Sequence, residues 1–195
     1  MKVRKQQKEK RRMQILMVGL ELFVTKGYTA TKVSDIAARA DMSVGLLFHY
    51  FKSKENLYEE LVKMGLKGTQ MSMQINTEDP LVFFEQLITM IMDSIKENPW
   101  AAKMFVLMSQ AQRSEGTPES VKAIAKQVNN IEQCIPIIEE GQQKGVFRKG
   151  NPHALSNAFW CSIQGMAEQN AVHPNVPLPE PEWILDIIKN KEVKI

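Results

Sequence analysis

An all-α protein in two parts, a small N-terminal helix-turn-helix head and a larger helical body, is the architecture this sequence predicts. Three observations carry the expectation. Apolar residues recur at three- and four-residue spacing, as in Ile15, Leu16, Leu20, Phe23 and Val24, or Ile124, Val128, Ile131, Ile135 and Ile138, with no alternating pattern of strand type. Four times a cap-type side chain stands directly before a proline, at Asp79-Pro80, Asn98-Pro99, Thr117-Pro118 and Asn151-Pro152. There the side-chain oxygen takes a free helix N–H, and the proline fills a position whose N–H has no intrahelical partner. Finally, the run GYTATKVSDIAARADMSVGLLFHYFKSKENL over 27–57 is punctuated closely enough to form two short helices joined by a turn.

Each element follows in chain order. The first helix is expected over 8–26, stopped by Gly27. Thr31 is read as the cap of a helix over 32–39, whose inward face is Val33, Ile36, Ala37 and Ala40, and Ser43 as the cap of a helix over 43–50. The turn between them is short, and Ala37 and Gly45 are small enough for close approach, so the pair is a helix-turn-helix. Further helices are expected over 54–75, 80–97, 99–112, 118–145, 152–172 and 181–190, about nine in all. Residues 173–181, with prolines at 174, 177, 179 and 181, read as an extended linker. Pro136 lies inside 118–145, where its missing N–H and its clash with the Glu132 carbonyl predict a kink or break. The kink is read either as a bend wrapping the helix round the core or as an opening for a ligand.

Composition bounds the function. The chain has 195 residues, 44% hydrophobic and 24% charged, with two cysteines, Cys134 and Cys161. That count excludes a disulfide scaffold and a four-cysteine zinc site, and it suits a reducing, cytoplasmic compartment. No apolar run approaches the roughly 18 residues of a membrane span, and MKVRKQQKEKRR leads into no apolar signal region, so no membrane association is expected. The three histidines, His49, His153 and His173, are far apart in sequence, and no Gly-rich phosphate loop or metal-spaced His and carboxylate cluster is present. No catalytic residue, no metal and no cofactor are therefore expected. The net charge of +3 is unevenly spread: twelve Lys and Arg stand against seven Asp and Glu over 1–60, and thirteen against fifteen over 61–195. A basic first third on a mildly acidic remainder suits a nucleic-acid reader joined to a non-binding domain.

From about Met13 to Leu61 the sequence resembles the tetracycline-repressor (TetR) family of transcriptional regulators. The resemblance rests on F-x-x-K-G-Y at Phe23 to Tyr28, D-I-A-x-x-A at Asp35 to Ala40, M-S-x-G at Met42 to Gly45, and F-x-Y-F-K-S-K-E-x-L at Phe48 to Leu57. It implies a DNA-binding domain over 1–53 and a regulatory and dimerisation domain over 54–195. By this resemblance the DNA-meeting positions are Thr31, Lys32, Val33 and Ser34, then Ser43, Val44, Gly45, Leu46, Phe48, His49 and Tyr50, then Lys52 and Lys54. Thr31, Lys32, Tyr50, Lys52 and Lys54 suit phosphates, which position a protein without reading sequence. Val44 and Gly45 suit thymine methyls, and His49 a base edge or a phosphate. Val44 and Leu46 depart from the polar residues often found there, which shifts weight to apolar contact and DNA shape. Phe51 is expected in the core. The basic arm from Lys2 to Arg12 is read as a solvated segment before the first helix or as a phosphate or minor-groove contact.

For the body the resemblance implies a small-molecule effector and a homodimer on a double-stranded, pseudo-palindromic operator. Trp100, Met104, Met108 and Trp160 are candidates for an apolar effector pocket, although aromatic and methionine residues at helical spacing also make plain core. Leu155, Ala158, Phe159, Ser162 and Gly165 on helix 152–172 are candidates for the dimer interface. Release of a repressor by the effector is the expected behaviour. An activator or a ligand-independent architectural DNA-binding protein of the same fold stays open.

Overall fold

The computed structural model describes residues 2–191, and ten helices take up most of them. In chain order they are α1 (Lys2–Ala30), α2 (Val33–Arg39), α3 (Val44–Tyr50), α4 (Lys54–Ser72), α5 (Pro80–Glu97), α6 (Pro99–Arg113), α7 (Glu119–Ala125), α8 (Asn130–Gln143), α9 (Pro152–Val172) and α10 (Pro181–Leu185). Among the described residues the extended pairing is confined to an isolated bridge between Phe147 and Lys189. Among the described residues no helix is long and apolar enough to cross a membrane.

Local chemistry explains most boundaries. Gly27 interrupts α1 with φ 78° and ψ 163°, a conformation in which a side chain would be strained. Asp79 Oδ1 accepts from the Leu81 and Val82 amides at 2.8 and 3.3 Å, Asn98 Oδ1 from Trp100 at 3.0 Å, and Asn151 Oδ1 from Ala154 at 3.0 Å. Three of the four expected proline-headed starts are thus capped as anticipated. The fourth is displaced: Pro118 itself holds the cap position of α7, and no side chain caps that helix.

Four expectations are corrected. The helix expected from residue 8 already runs from Lys2, because the Lys, Arg, Gln and Glu of the arm are good helix formers. Thr31 does not cap α2, whose cap position is held by Lys32; the Thr31 side chain is buried and its hydroxyl reaches back to the carbonyls of Gly27 and Leu22, at 2.7 and 3.2 Å. The helix expected over 118–145 is two helices, α7 and α8, and the chain leaves helix after Ala125 while α8 runs through Pro136. Gln112 of α6 donates to the Ala125 carbonyl at 2.8 Å, so a side chain distant in sequence satisfies the end of α7. The helix expected over 181–190 stops at Leu185, because the following backbone pairs instead: Asn190 N donates to Val146 O, and Arg148 N to Ile188 O, both at 2.9 Å.

The helices form two compact units that interleave along the chain. One takes the chain as far as Leu66 and again over Lys103–Gln127; the other takes Lys67–Ala102 and the residues from Val128 onward. In the first unit, Ile15, Leu20 and Phe23 of α1, Ile36 of α2, Leu47 of α3 and Leu57 and Leu61 of α4 are buried together. The rings of Phe23, Tyr28 and Tyr58 pack together at centroid separations of 4.8 to 5.9 Å, Phe23 edge-on to Tyr58. Gly65 of α4 permits a close approach of α6, since a Cβ there would stand 2.5 Å from Met108 Sδ.

In the second unit α5 buries Phe83, Phe84, Leu87, Ile88, Ile91, Met92 and Ile95. Phe84 is fully enclosed, its ring edge-to-face with Phe83, Phe147 and Phe159 at 5.4, 5.4 and 5.0 Å. Ser156 Oγ donates to Ile131 O at 2.8 Å, and Trp160 Nε1 to Cys134 Sγ at 3.4 Å, joining α9 to α8. Burial pushes the Cys134 thiol up to about 11, with the Trp160 bond pulling weakly the other way. A raised acid keeps the thiol neutral in the folded state, so its contribution is fully present below the unfolded thiol's value and is lost as pH rises through the folded one. Between pH 7.5 and 10.5 the wild type should lose about 2 kcal/mol more unfolding free energy than Cys134→Ala. Urea denaturation at both pH values measures the difference, and identical pH dependence of the two proteins would contradict this environment.

Candidate nucleic-acid interface

The candidate recognition surface lies on α3, a helix too short to hold its own orientation in isolation. Its seat is assembled from three sides. Ser43 Oγ accepts from the Leu46 amide at 3.2 Å and starts the helix, as expected. Before it the chain turns at Asp41, a non-glycine residue at φ 52°, whose carbonyl accepts from Arg11 Nη2 of α1 at 2.6 Å. On the inner side Leu47 and Phe51 are buried, and the Arg12 guanidinium lies 5.1 Å above the Phe51 ring while pairing with Glu60 of α4 at 2.9 Å. Phe51 is core, as its place in the pattern implied.

With that inner face pinned, the outer face is open. Val44, Leu46 and Phe48 are 39%, 43% and 45% exposed, and Gly45 and His49 are exposed beside them. Three exposed large apolar side chains on one seven-residue helix are unusual for a surface that only meets water. His49 and Tyr50 rings meet edge-to-face at 5.7 Å. Lys32, Ser34, Ser43 and Lys52 are exposed around this helix, while Val33 is half-buried.

Two of the expected phosphate-binding residues are engaged inside the protein. Thr31 is 1% exposed, so its hydroxyl is withdrawn from any ligand and instead ties the end of α1 to the start of α2. Lys54 Nζ donates to the carbonyls of Tyr28 and Thr31 at 2.8 and 3.0 Å, and lies 4.1 Å above the Tyr28 ring. Burial lowers the Lys54 pKa from its ordinary value. One of its three donors is left for an outside partner. The sequence left Arg11 and Arg12 in the basic arm, read as solvated or as a phosphate or minor-groove contact, and missed their part in seating α3; the signal is that they sit one turn before the buried Ile15 and Leu16 on the same helix.

The pocket candidates do not form one cluster within a unit. Trp100 and Trp160 belong to the second unit, and Met104 and Met108 to the first, where they pack on Gly65. Trp160 is 8% exposed with its N–H turned to Cys134, a core arrangement. The hollow found in the second unit is open and polar-rimmed, on the outer face of α5 among Glu85, Thr89, Met90, Asp93 and Glu97. On α9, Ala158 and Gly165 are exposed and Leu155 and Ser162 half-buried, but Phe159 is fully buried against Phe84 and is corrected from interface to core. Cys161 shares the exposed face with Ala158 and Gly165. Among the described residues no group of His, Cys, Asp or Glu is arranged to hold a metal ion.

Residues 15–61 match the family model described as bacterial regulatory proteins of the tetR family. The transcriptional repressor NicS of Pseudomonas putida is 24% identical over 153 residues, covering 75% of this chain and 70% of its own length. The transcriptional repressor KstR2 of Mycolicibacterium smegmatis is 27% identical over 141 residues, covering 71% of this chain and 68% of its own. The solved structure of the ketosteroid transcriptional regulator KstR2 of Mycobacterium tuberculosis shares the fold with a TM-score of 0.74, at 21% identity over 93% of this chain and 96% of that one. The matched segment takes in α2, α3 and the parts of α1 and α4 from Ile15 to Leu61, whereas Arg11 and Arg12, which help to seat α3, lie just before it.

Proposed function

The chain is a transcriptional regulator of the TetR family and not an enzyme, and on that premise we propose that it is a homodimeric repressor of a pseudo-palindromic operator, released by a small apolar effector. The observation that carries the DNA-reading part is the face of α3: Val44, Leu46 and Phe48 are held outward by a buried Leu47 and Phe51. In this reading α3 enters the major groove, where Val44, Gly45 and Phe48 take thymine methyls and His49 takes a base edge. Lys32, Ser34, Ser43, Tyr50 and Lys52 meet phosphates, with Val33 and Leu46 at the margin of the contact. Lys54 spends two donors on the α1 and α2 junction, so its role is chiefly to hold α4 against the head.

The reader spans residues 1–53 and the regulatory body 54–195 in this proposal, and the compartment is the one that holds the DNA, the cytoplasm. The dimer is assigned to the exposed side of α9, through Ala158, Gly165 and the rim residues Leu155 and Ser162. Small residues there would let two copies approach closely, and Trp183 of α10, 66% exposed, and Val172, 70% exposed, add apolar surface in the same unit. A two-fold dimer would match an operator with two half-sites one helical turn apart. The effector is proposed to be apolar because Met104 and Met108 of α6, which pack on Gly65 of α4 within the first unit, offer soft apolar surface. The relatives' printed names, repressors in two cases and a ketosteroid regulator in one, support both halves of this reading. The coupling helix is proposed to be α4, since Met104 and Met108 of α6 seat directly on Gly65 within the first unit. Effector and DNA should then weaken each other's binding reciprocally, by about 1 to 3 kcal/mol.

Selection of binding sites from random-sequence DNA tests the reading. The recovered duplex should bind at least about a thousandfold tighter than a scrambled duplex of equal length at the same salt concentration. A ratio near one would remove the operator, and with it the repressor.

A further inference from the structure

We propose that the N-terminal turns of α1 form a second DNA-contacting surface, in which Arg4, Lys8 and Arg11 lie along the phosphate backbone beside the groove that α3 enters. The inference rests on the DNA-binding reading above and extends it to a segment outside the matched family region, which begins at residue 15.

Helical geometry puts these cations in line with the core. At 3.6 residues per turn Arg4, Lys8, Arg11 and Ile15 fall on one face of α1. Ile15 is fully buried, Arg11 is half-buried, and Arg4 and Lys8 are exposed. The inward stripe of α1 therefore continues past the head, changing from apolar to cationic where the protein beneath it ends. Arg11 marks the change, since one of its nitrogens donates to Asp41 O at 2.6 Å, in the turn directly before α3. The stripe starts beside the recognition helix and runs outward for about 10 Å from Arg11 to Arg4, at about 1.5 Å per residue.

The arrangement opposes the helix that carries it. Like charges three and four residues apart repel across a helix surface, and cations in the first turns oppose the positive end of the helix dipole. No acidic residue stands in the first turn, and between residues 4 and 12 the lone acid, Glu9, falls well off the stripe. Among the described residues neither Arg4 nor Lys8 has an ion-pair partner. A polyanion laid along the stripe would relieve both repulsions at once, and the nearest one in this reading is the operator backbone.

The test compares Arg4→Gln/Lys8→Gln with a charge-matched control, Lys10→Gln/Lys126→Gln, whose lysines are exposed on the far side of α1 and at the end of α7. Full-length proteins are titrated by fluorescence anisotropy onto a duplex recovered from random DNA and onto its scrambled counterpart, across a range of salt concentrations. Two lost phosphate contacts should lower the slope of log affinity against log salt by about 1.8 on both duplexes. The control should keep the wild-type slope. A stripe variant whose slope equals that of the wild type overturns the proposal and leaves a solvated helix. A loss confined to the recovered duplex also overturns it, because backbone contact is blind to sequence. If the wild type binds both duplexes equally while the slope still falls, the operator reading fails and the stripe stands; a wild type that binds neither ends both. Both substituted residues lie outside the core, so the thermal melts of all three proteins should coincide.

Discussion

Phe51→Ala is expected to destabilise the head by about 3 to 5 kcal/mol, the cost of emptying a ring-sized space in a core that relaxes only partly. Phe51 is 1% exposed, and its ring is the floor on which the Arg12 guanidinium lies at 5.1 Å. Without the ring, Arg12 keeps only its ion pair with Glu60, in which both side chains are about a third exposed and which contributes little. Since a domain of this size is held by about 5 to 15 kcal/mol in all, the loss should be visible as an early urea transition. Operator binding should fall with it, because α3 has no other strong inward anchor besides Leu47. Phe48→Ala, three residues earlier, should do the opposite. With Phe48 at 45% exposure the stability change should stay within about 0.5 kcal/mol, while operator affinity drops on the order of tenfold. Far-UV circular dichroism in urea and anisotropy titrations separate the two effects. Equal destabilisation by both substitutions, or wild-type binding by Phe48→Ala, would refute the assignment of inner and outer faces.

In the second unit the largest effect is expected at Phe84. Its ring is fully buried and meets three others edge-to-face, at 5.0 to 5.4 Å. Each such pair adds about 0.5 to 1.5 kcal/mol beyond the area it covers, so Phe84→Ala should cost about 4 to 5 kcal/mol. Phe84→Leu keeps much of the volume and should cost roughly half as much. The consequence should extend to assembly, because Phe159, one of the three partners, lies on α9, and α9 also carries the proposed dimer face. For the proposed dimer, sedimentation velocity should show Phe84→Ala shifted toward monomer relative to the wild type at equal protein concentration. Met90→Ala, on the exposed side of the same helix at 42% exposure, is the control and should change neither property. A Phe84→Ala protein with wild-type melting would mean that the ring cluster is not the centre of this core.

How far the sequence could be read depended on whether the deciding interaction was local. Ser43, Asp79, Asn98 and Asn151 cap the helices they were expected to cap, because an N-cap bond reaches only two or three residues along the chain. Thr31 has the same chemistry and a matching place before α2, yet burial among α1 residues turns its hydroxyl back to Leu22 and Gly27. The run 118–145 failed for a related reason. Apolar spacing is similar on both sides of the break, and the group that closes α7, Gln112, comes from α6. Proline at 136 drew attention to the wrong place, while the true break carries Val128 and Asn129, which periodicity alone passes over.

The candidate site divides in the same way. The short helices, the cap at Ser43 and the cations at Lys32 and Lys52 were legible because type and spacing suffice to place them. That Lys54 faces two carbonyls, that Arg11 holds the turn at Asp41, and that Arg12 covers Phe51 required the packing of α1 against the head. On α9 the sequence shows one bulky and one small-residue side, but Phe159 could be assigned to core only once its ring was found against Phe84.

By itself, then, the sequence determined the helical class, the helix-turn-helix and most of the helix starts, since these follow from periodicity and short-range hydrogen bonds. The tertiary structure decided which side of each helix turns inward, which polar groups are consumed inside the protein, and that the basic arm is a continuation of α1. Those choices depend on partners tens of residues away, and no local pattern encodes a hydrogen bond whose acceptor is brought close only by the fold.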